Sequence, residues 1–549
     1  MEQNAWNRYY PAGALASYRE EAGSPVTLFT RSASRYPERN CLSFGGLTLS
    51  YAQTLDLVQR AAAGLQAHGL RKADRIALLL PNHPGFVIGY YAALQIGAVA
   101  VAINPLYPTR MIATQLHNSG ARVLVVADLP GLLETASACL EQGVVESVIV
   151  VRMDASDLRS GADSPAPALA PRMVSLASIL ANAGHPQAVA IDPLEDLAAL
   201  QATGGTTGTP KFAMLTHNNF WINTQQARLM MSGLREGKEV FLVPLPLFHI
   251  TGTTLLMHLG LAVAAELVLM PKFDIGAAIT LCIERGVTNL AAVPTIYTAF
   301  LDHPDADKVN WRGMTQVMAG GGPLPPETGV RFLERFGVRI RQGYGLSECS
   351  PGLTMMPDCA DGPVNSIGIP IPGTQIQIRD PADPARVLPA GEAGEICAAG
   401  PQVMKGYWNR PEETQAVMTA DGFLRTGDIG KMDANGFIEI VDRLKDVIIA
   451  SGYKLFPTAI EAAVCEHPAV SEVAVIGVPD PYRGETAKAF YSLRPGAALD
   501  ADELRIFLSG RLSPMEMPKL FEMREALPKT AAGKISRLAL REEEREKAR

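Results

Sequence analysis

The sequence predicts an α/β fold: a large N-terminal domain of stacked, mostly parallel αβ layers with a β-rich subdomain, then a small α+β C-terminal domain. Three observations lead there. Between residues 50 and 300, helical patterns alternate with short β-branched runs, and such alternation means βαβ units whose sheets are covered by helices. From about residue 364 the pattern gives way to short strands punctuated by Gly and Pro, the texture of a smaller β-rich subdomain. Beyond Asp442, strands and helices mix in a compact run. The expected domains are residues 1–442, with the β-rich part at about 364–442, and residues 443–549. A chain of 549 residues, 47% apolar and 19% charged, is long enough for two or more cores and has a globular composition.

The predicted strands of the first part are Arg75 to Leu80, Ala98 to Ile103, Arg122 to Ala127, Ser147 to Arg152, Glu239 to Leu242, Glu266 to Leu269 and Asn289 to Val293. Two apolar runs, Phe86 to Ile103 and Thr253 to Met270, approach the roughly 20 residues that cross a bilayer. Gly89, Gln95 and Gly97 interrupt the first, and His258, Gly260 and Glu266 the second. Both therefore read as buried helix-and-strand pairs, since charges inside a span are costly. Asp154 to Pro171, rich in Ser, Ala, Pro and Asp, reads as a surface loop. The β-rich part offers Gln375 to Arg379, Gly394 to Ala398 and Gly436 to Val441. Thr458-Ala459-Ile460-Glu461 fits a capping box opening a helix that stops before Pro468. A strand Val473 to Val478, a helix Ala501 to Leu512 and a strand Lys519 to Arg524 follow, and the charged tail after Leu540 reads as a solvated helix end.

Composition excludes several functions. A net charge of -7 with no arginine-rich block argues against a nucleic-acid surface. Seven cysteines lie scattered without C-x-x-C spacing, so neither a zinc site nor a disulfide framework is indicated. The first ten residues lack the basic and apolar regions of a signal peptide, which makes a cytoplasmic location the expectation.

The chemistry begins at Thr203-Gly204-Gly205-Thr206-Thr207-Gly208-Thr209-Pro210-Lys211, directly after an apolar run. Glycines let backbone N–H groups face an anion, threonine hydroxyls add donors, and an ammonium neutralises phosphate charge. The loop is not the Walker form, because Pro210 precedes Lys211 and Phe212 follows it. Taken alone, it is also compatible with an ordinary Gly/Thr turn. Five further segments join it: Pro246-Leu247-Phe248-His249, Gly320-Gly321-Gly322-Pro323-Leu324-Pro325, Gln342-Gly343-Tyr344-Gly345-Leu346-Ser347-Glu348, Thr426-Gly427-Asp428 with Asp442-Arg443-Leu444-Lys445-Asp446, and Pro528-Lys529-Thr530-Ala531-Ala532-Gly533-Lys534.

In this order and at these separations the six segments resemble the adenylate-forming superfamily, and within it the bacterial fatty-acyl-CoA synthetases, with aryl-CoA ligases as cousins. The resemblance runs from about Tyr51 to Arg537. It implies ATP-dependent activation of a medium- or long-chain fatty acid to acyl-AMP, then thioester formation with coenzyme A, releasing AMP and pyrophosphate. ATP, Mg2+ and coenzyme A are the implied cofactors and co-substrates. Two anions, carboxylate and α-phosphate, must meet, so the site needs cations and oriented donors where charge develops.

Residue by residue, the resemblance implies that Thr203, Gly204, Gly205, Thr206, Thr207, Gly208 and Lys211 hold the β- and γ-phosphates. Glu348 and Thr206 would bind Mg2+, although a lone Glu348 also reads as a solvated loop acid. Tyr344, between Gly343 and Gly345, would stack on adenine, while Gly321 and Gly322 let the base and acyl chain approach the backbone. Ser347 keeps the hydroxyl where many members have threonine. Asp428 would bind the ribose, Arg443 ribose and phosphate, and Ile440 the adenine face; out of context these read as a surface ion pair and a core strand residue. Lys534 would bridge carboxylate and α-phosphate, His249 would line the acyl pocket, and Lys445 would be the hinge of a mobile C-terminal domain. Rotation about it would bring Gly452 to the pantetheine of coenzyme A; apart from the resemblance, Arg483 and Lys488 are cations that could attract its phosphates.

Three departures from the pattern stand out. Phe212 replaces a glycine after the loop lysine, Ala459 replaces an acid, and Gly252-Thr253-Thr254 stands where some long-chain members carry a tryptophan gate. The alternatives are an aryl or branched acid as substrate, loading of a carrier protein, or a catalytically dead nucleotide-binding scaffold. Homodimerisation and peripheral contact with the inner face of a membrane are the remaining partner expectations, the latter suiting a lipid substrate without a basic amphipathic helix to support it.

Overall fold

The computed structural model describes residues 4–158, 169–181, 184–203, 211–358, 362–363, 365–450, 453–480, 483–529 and 535–547. The chain forms two compact units, Met1–Gln375 with Ala399–Val417, and Ile376–Ala398 with Met418–Arg549. The fold is mixed α/β, as the alternating patterns predict.

The first unit holds two sheets. One runs in the order Met173–Ser175, Ser147–Val151, Ala121–Ala127, Arg75–Leu79, Val99–Ala102, Leu197–Ala202 and Phe212–Thr216. Its neighbours are parallel except the last pair, an antiparallel hairpin. Val99–Ala102 is buried at every position and Ala121–Ala127 at all but Arg122, because helices cover both faces and leave no polar side. The second sheet has a parallel middle, Asn40–Phe44, Glu266–Leu269, Val240–Val243, Asn289–Ala292, Gln316–Ala319 and Arg341–Gly345. Antiparallel strands Leu47–Ser50 and Gly352–Met355 flank it, and Ser366–Pro370 follows the latter.

Both suspected apolar runs lie inside this unit. Pro84–Gln95 is a helix of 12 residues, buried along its length, and the strand Val99–Ala102 follows. Thr253 to Met270 divides between a π-helical segment, Gly252–His258, a helical turn, Leu259–Ala262, and the strand Glu266–Leu269. Among the described residues no helix is long and apolar enough to cross a membrane.

The second unit contains the antiparallel strands Gly394–Ala399, Leu424–Met432 and Ile438–Arg443, next to Gln375–Arg379. Its other sheet is built on the long hairpin Val470–Asp480 and Gly484–Leu493. Alternation along this hairpin buries both faces. Val473, Val475 and Tyr491 pack with Ile460, Leu504 and Leu508, while Ala474, Ile476 and Phe490 pack with Leu527 and Leu540.

The capping box expected at Thr458 is absent. The helix is Pro457–Cys465, its N-cap is Phe456, and no side chain caps it. Glu461 instead turns to Arg537, at 2.5 Å, and accepts the Val475 N–H at 2.7 Å. A half-buried charge partner outweighs a solvated cap. The helix beginning at Ala501 ends at Leu508, one turn earlier than predicted.

Candidate functional site

The glycine-rich segment joins two strands that pair antiparallel. Ala202 pairs with Phe212 across the antiparallel ladder, and the Thr203 N–H donates to the Lys211 carbonyl at 2.8 Å. Phe212 is buried, the first residue of the strand Phe212–Thr216. Gly204, Gly205, Thr206, Thr207 and Gly208 lie outside the described residues, as do Gly452 and Lys534.

A second segment is laid along the free side of that strand. The Met214 N–H donates to the Gly406 carbonyl at 2.9 Å, the Lys405 N–H to the Met214 carbonyl at 3.0 Å, and the Trp408 N–H to the Phe212 carbonyl at 2.8 Å. These bonds place Tyr407 opposite Ala213. The Lys211 ammonium lies 4.9 Å from the centre of the Tyr407 ring and pairs with Glu413 at 2.5 Å. On the other side the Tyr407 hydroxyl donates to Glu348 Oε1 at 2.8 Å. Burial, then the nearby Glu348 charge, push the Tyr407 hydroxyl above its usual pKa, so it stays a donor. Lys211 and Glu348, read from segments about 140 residues apart, thus meet through one tyrosine that no motif indicated.

Glu348 sits in a short 3-10 turn, Ser347–Cys349, after the strand Arg341–Gly345 that carries Gly343 and Tyr344. The Met404 N–H donates to the Glu348 carbonyl at 2.8 Å. Glycine is required at 345, because a Cβ there would lie 1.9 Å from the Pro351 carbonyl oxygen. Gly320 to Gly322 follow the neighbouring strand Gln316–Ala319, and a Cβ on Gly320 would stand 3.5 Å from the Gly343 carbonyl. The predicted adenine-facing backbone and Tyr344 are therefore adjacent.

His249 is half-buried at the start of the helix that contains the π-helical segment, and its carbonyl accepts the Thr253 N–H at 2.9 Å. Gly252 packs so tightly that a Cβ would lie 2.1 Å from the Pro246 carbonyl. Two unpredicted side chains fix this turn. Asn82 donates to the Val243 and Leu245 carbonyls and accepts the Leu247 N–H. Gln201, beside the glycine-rich loop, donates to the Phe248 carbonyl at 3.2 Å.

The second unit brings Asp428 and Arg443 together. They are directly opposed across the ladder, 3.2 Å apart, with Asp428 buried and Arg443 exposed. Ile440 is partly buried on the same strand, opposite Gly430. Lys445 is exposed in the turn after it, where the Asp446 N–H donates to the Arg443 carbonyl. Arg537 ties this turn to the chain's end, pairing with Asp442 at 3.5 Å, Asp446 at 3.0 Å and Glu461 at 2.5 Å. Arg541 adds a 2.8 Å contact to Asp446. Burial raises the Glu461 carboxyl; at Asp446 burial acts in the same direction, but Arg537 and Arg541 outweigh it and hold that carboxyl low.

Lys488 does not fit its expected place near coenzyme A phosphates. It is buried, with its ammonium 2.7 Å from Glu522 and 2.8 Å from Glu544, so its charge is already neutralised. Arg483 is partly exposed.

Among the described residues no three His, Cys, Asp or Glu side chains cluster as a metal site. Glu348 nonetheless suits Mg2+, which takes one or two carboxylates and otherwise phosphate and water oxygens. Tyr407 engages Oε1, and no other described side chain bonds Oε2.

Residues 29–408 match the AMP-binding enzyme family, and residues 459–534 match the AMP-binding enzyme C-terminal domain. A long-chain-fatty-acid–CoA ligase of Bacillus subtilis (strain 168) is 38% identical over 568 aligned positions, covering 100% of this chain and 99% of the relative. A feruloyl-CoA synthase of an Amycolatopsis species is 34% identical over 506 positions, 92% of this chain and 96% of its own. Among solved structures, ATP-bound MatB from Rhodopseudomonas palustris superimposes with a TM-score of 0.86 at 28% identity, over 95% of this chain and 100% of that one.

Proposed function

The chain belongs to the AMP-binding enzyme family, and from that membership we propose that it joins a medium- or long-chain fatty acid to coenzyme A at the cost of ATP. The reaction class is that of an AMP-forming acid–CoA ligase. A carboxylate is a poor electrophile; attack on the α-phosphate converts it to an acyl adenylate and releases pyrophosphate, and a thiol then displaces AMP. The observation that carries this reading is the meeting of Lys211 and Glu348 on Tyr407 beside the glycine-rich hairpin. A phosphate chain lying along that hairpin would find an ammonium and a carboxylate on one side.

In this reading Lys211 neutralises the β- and γ-phosphates, leaving Glu413 to do so, and the loop N–H groups orient them. Glu348 would hold Mg2+, with Thr206, and the cation when bound supplies charge neutralisation between phosphate oxygens. Tyr344 stacks on adenine, Asp428 accepts from the ribose hydroxyls, and Arg443 exchanges part of its pairing with Asp428 for ribose and phosphate. His249 lines the acyl pocket. Lys534 meets the substrate carboxylate and α-phosphate together, so the two anions can approach. Residues 443–549 would turn about Lys445 between the half-reactions, bringing Gly452 to the incoming thiol.

Similarity to feruloyl-CoA synthase favours one second reading, an aryl acid as substrate. Pyrophosphate release measured over a panel of fatty and aryl acids, with and without coenzyme A, separates them. We expect turnover with fatty acids of ten or more carbons, on the order of tenfold above aryl acids in kcat/KM, each tenfold being about 1.4 kcal/mol of transition-state discrimination. Aryl acids preferred over every fatty acid would reverse the assignment, and no turnover with any acid would leave a nucleotide-binding scaffold.

A further inference from the structure

We propose that Tyr407 is a positioning residue for phosphate activation, holding Glu348 for a divalent cation with its hydroxyl and steadying Lys211 for the phosphates with its ring. The proposal deepens the ligase reading above and rests on it for the identity of the phosphate ligand.

Three independent observations carry it. The ring has a fixed seat, because three backbone hydrogen bonds lay residues 405–408 on the strand Phe212–Thr216, and the Tyr407 N–H donates to Thr414 Oγ1 at 2.8 Å. The hydroxyl meets Glu348 Oε1 at 2.8 Å. One carboxylate oxygen is thereby engaged, which restricts the carboxylate's rotation, and among the described residues no side chain bonds Oε2. Lys211 lies 4.9 Å from the ring centre, within the range where an ammonium is attracted to an aromatic face. The attraction acts on a side chain already held by Glu413, so it limits where the ammonium moves once that carboxylate is displaced.

Hydrogen bonds that orient a metal-binding carboxylate are worth about tenfold or more in metal affinity. Tyr407→Phe removes the hydroxyl and keeps the ring; Tyr407→Leu removes both. The test titrates the full-length protein with Mn2+ in the presence of a non-hydrolysable ATP analogue, following free Mn2+ by electron paramagnetic resonance. A parallel arm measures inhibition by pyrophosphate, and thermal unfolding is recorded for each variant. We expect Tyr407→Phe to weaken Mn2+ about tenfold, with the melting temperature and the KM for the acid unchanged. Tyr407→Leu should add a loss of pyrophosphate affinity. Wild-type Mn2+ affinity in Tyr407→Phe overturns the proposal. So does a uniform loss of all affinities accompanied by a lowered melting temperature, which would mark Tyr407 as structural. Because the Mn2+ titration needs no turnover, it remains readable if no acid proves to be a substrate, and failure of the ligase reading is told apart from failure of this one.

Discussion

Lowering the pH from 7 to 5.5 should destabilise the first unit by about 4 kcal/mol through three buried histidines. His83 Nδ1 accepts the Gly85 N–H at 3.0 Å, capping the helix Pro84–Gln95; His217 Nδ1 lies 2.9 Å from Ser24 Oγ; His258 Nδ1 lies 2.7 Å from the Tyr91 hydroxyl. The Nε2 atoms of all three are buried without a partner among the described residues. A second proton would place a charge where nothing solvates it, and at His83 it would also remove the cap. Burial accordingly lowers His83 and His217 to about 4 and His258 to about 3. A depressed pKa means that the unfolded chain binds the proton first, near its ordinary value of about 6.5. The stabilisation is therefore complete above that pH and is lost as pH falls towards 4. At pH 5.5 each histidine costs about 1.4 kcal/mol, a large share of the roughly 5–15 kcal/mol that keeps a domain folded. Glu461, raised by burial in the second unit, acts in the opposite direction there. Urea unfolding at pH 7, 6.5 and 5.5 gives the slope, and His258→Phe should remove about a third of it. A midpoint that stays level over this range would refute the argument.

Other perturbations test the charge networks. Lys534→Ala is expected to slow adenylation on the order of a hundredfold, while preformed acyl adenylate still gives the thioester; equal loss in both half-reactions would reject that division. Glu413→Gln removes the carboxylate that competes with phosphate for Lys211, and pyrophosphate should inhibit up to about fivefold more tightly, the scale of a partly exposed ion pair. Unchanged inhibition would show that the pair carries no weight. Arg537→Met leaves Asp442, Asp446 and Glu461 without their shared cation. It should cost the second unit about 3–5 kcal/mol, read as faster hydrogen exchange in the helix Pro457–Cys465, with Arg537→Lys only partly restoring protection because an ammonium cannot fork between carboxylates.

What was legible in the sequence follows from how local each signal is. The strand Glu266–Leu269 is legible to the residue, and Arg75–Leu79 and Ser147–Val151 to within one, because strands that bury nearly every position leave contiguous apolar runs. Lys211 stands out by residue type in a glycine- and threonine-rich run, whereas Glu348, Asp428 and Arg443 are singled out only by the family resemblance of their segments. The structure brings Lys211 to Glu348 within one unit and Asp428 to Arg443 within the other. Misses arose where a distant partner decided the outcome. Glu461 looked like a cap because its partner Arg537 is 76 residues away. Lys488 looked available because Glu522 and Glu544 arrive from other elements. Tyr407 and Glu413 carried no signal at all, since Lys405 to Thr414 resembles an ordinary turn followed by a helix start, and only the ladder with Phe212–Thr216 gives them a task.

That ladder has a consequence for anyone building hybrids of these proteins. The strand that leaves the glycine-rich segment and residues 405–408 are written almost two hundred positions apart, yet they are stitched edge to edge. A graft that imports one without its companion would inherit a tyrosine cut to another scaffold, so swap points belong outside both stretches, and the two should travel as a single cassette.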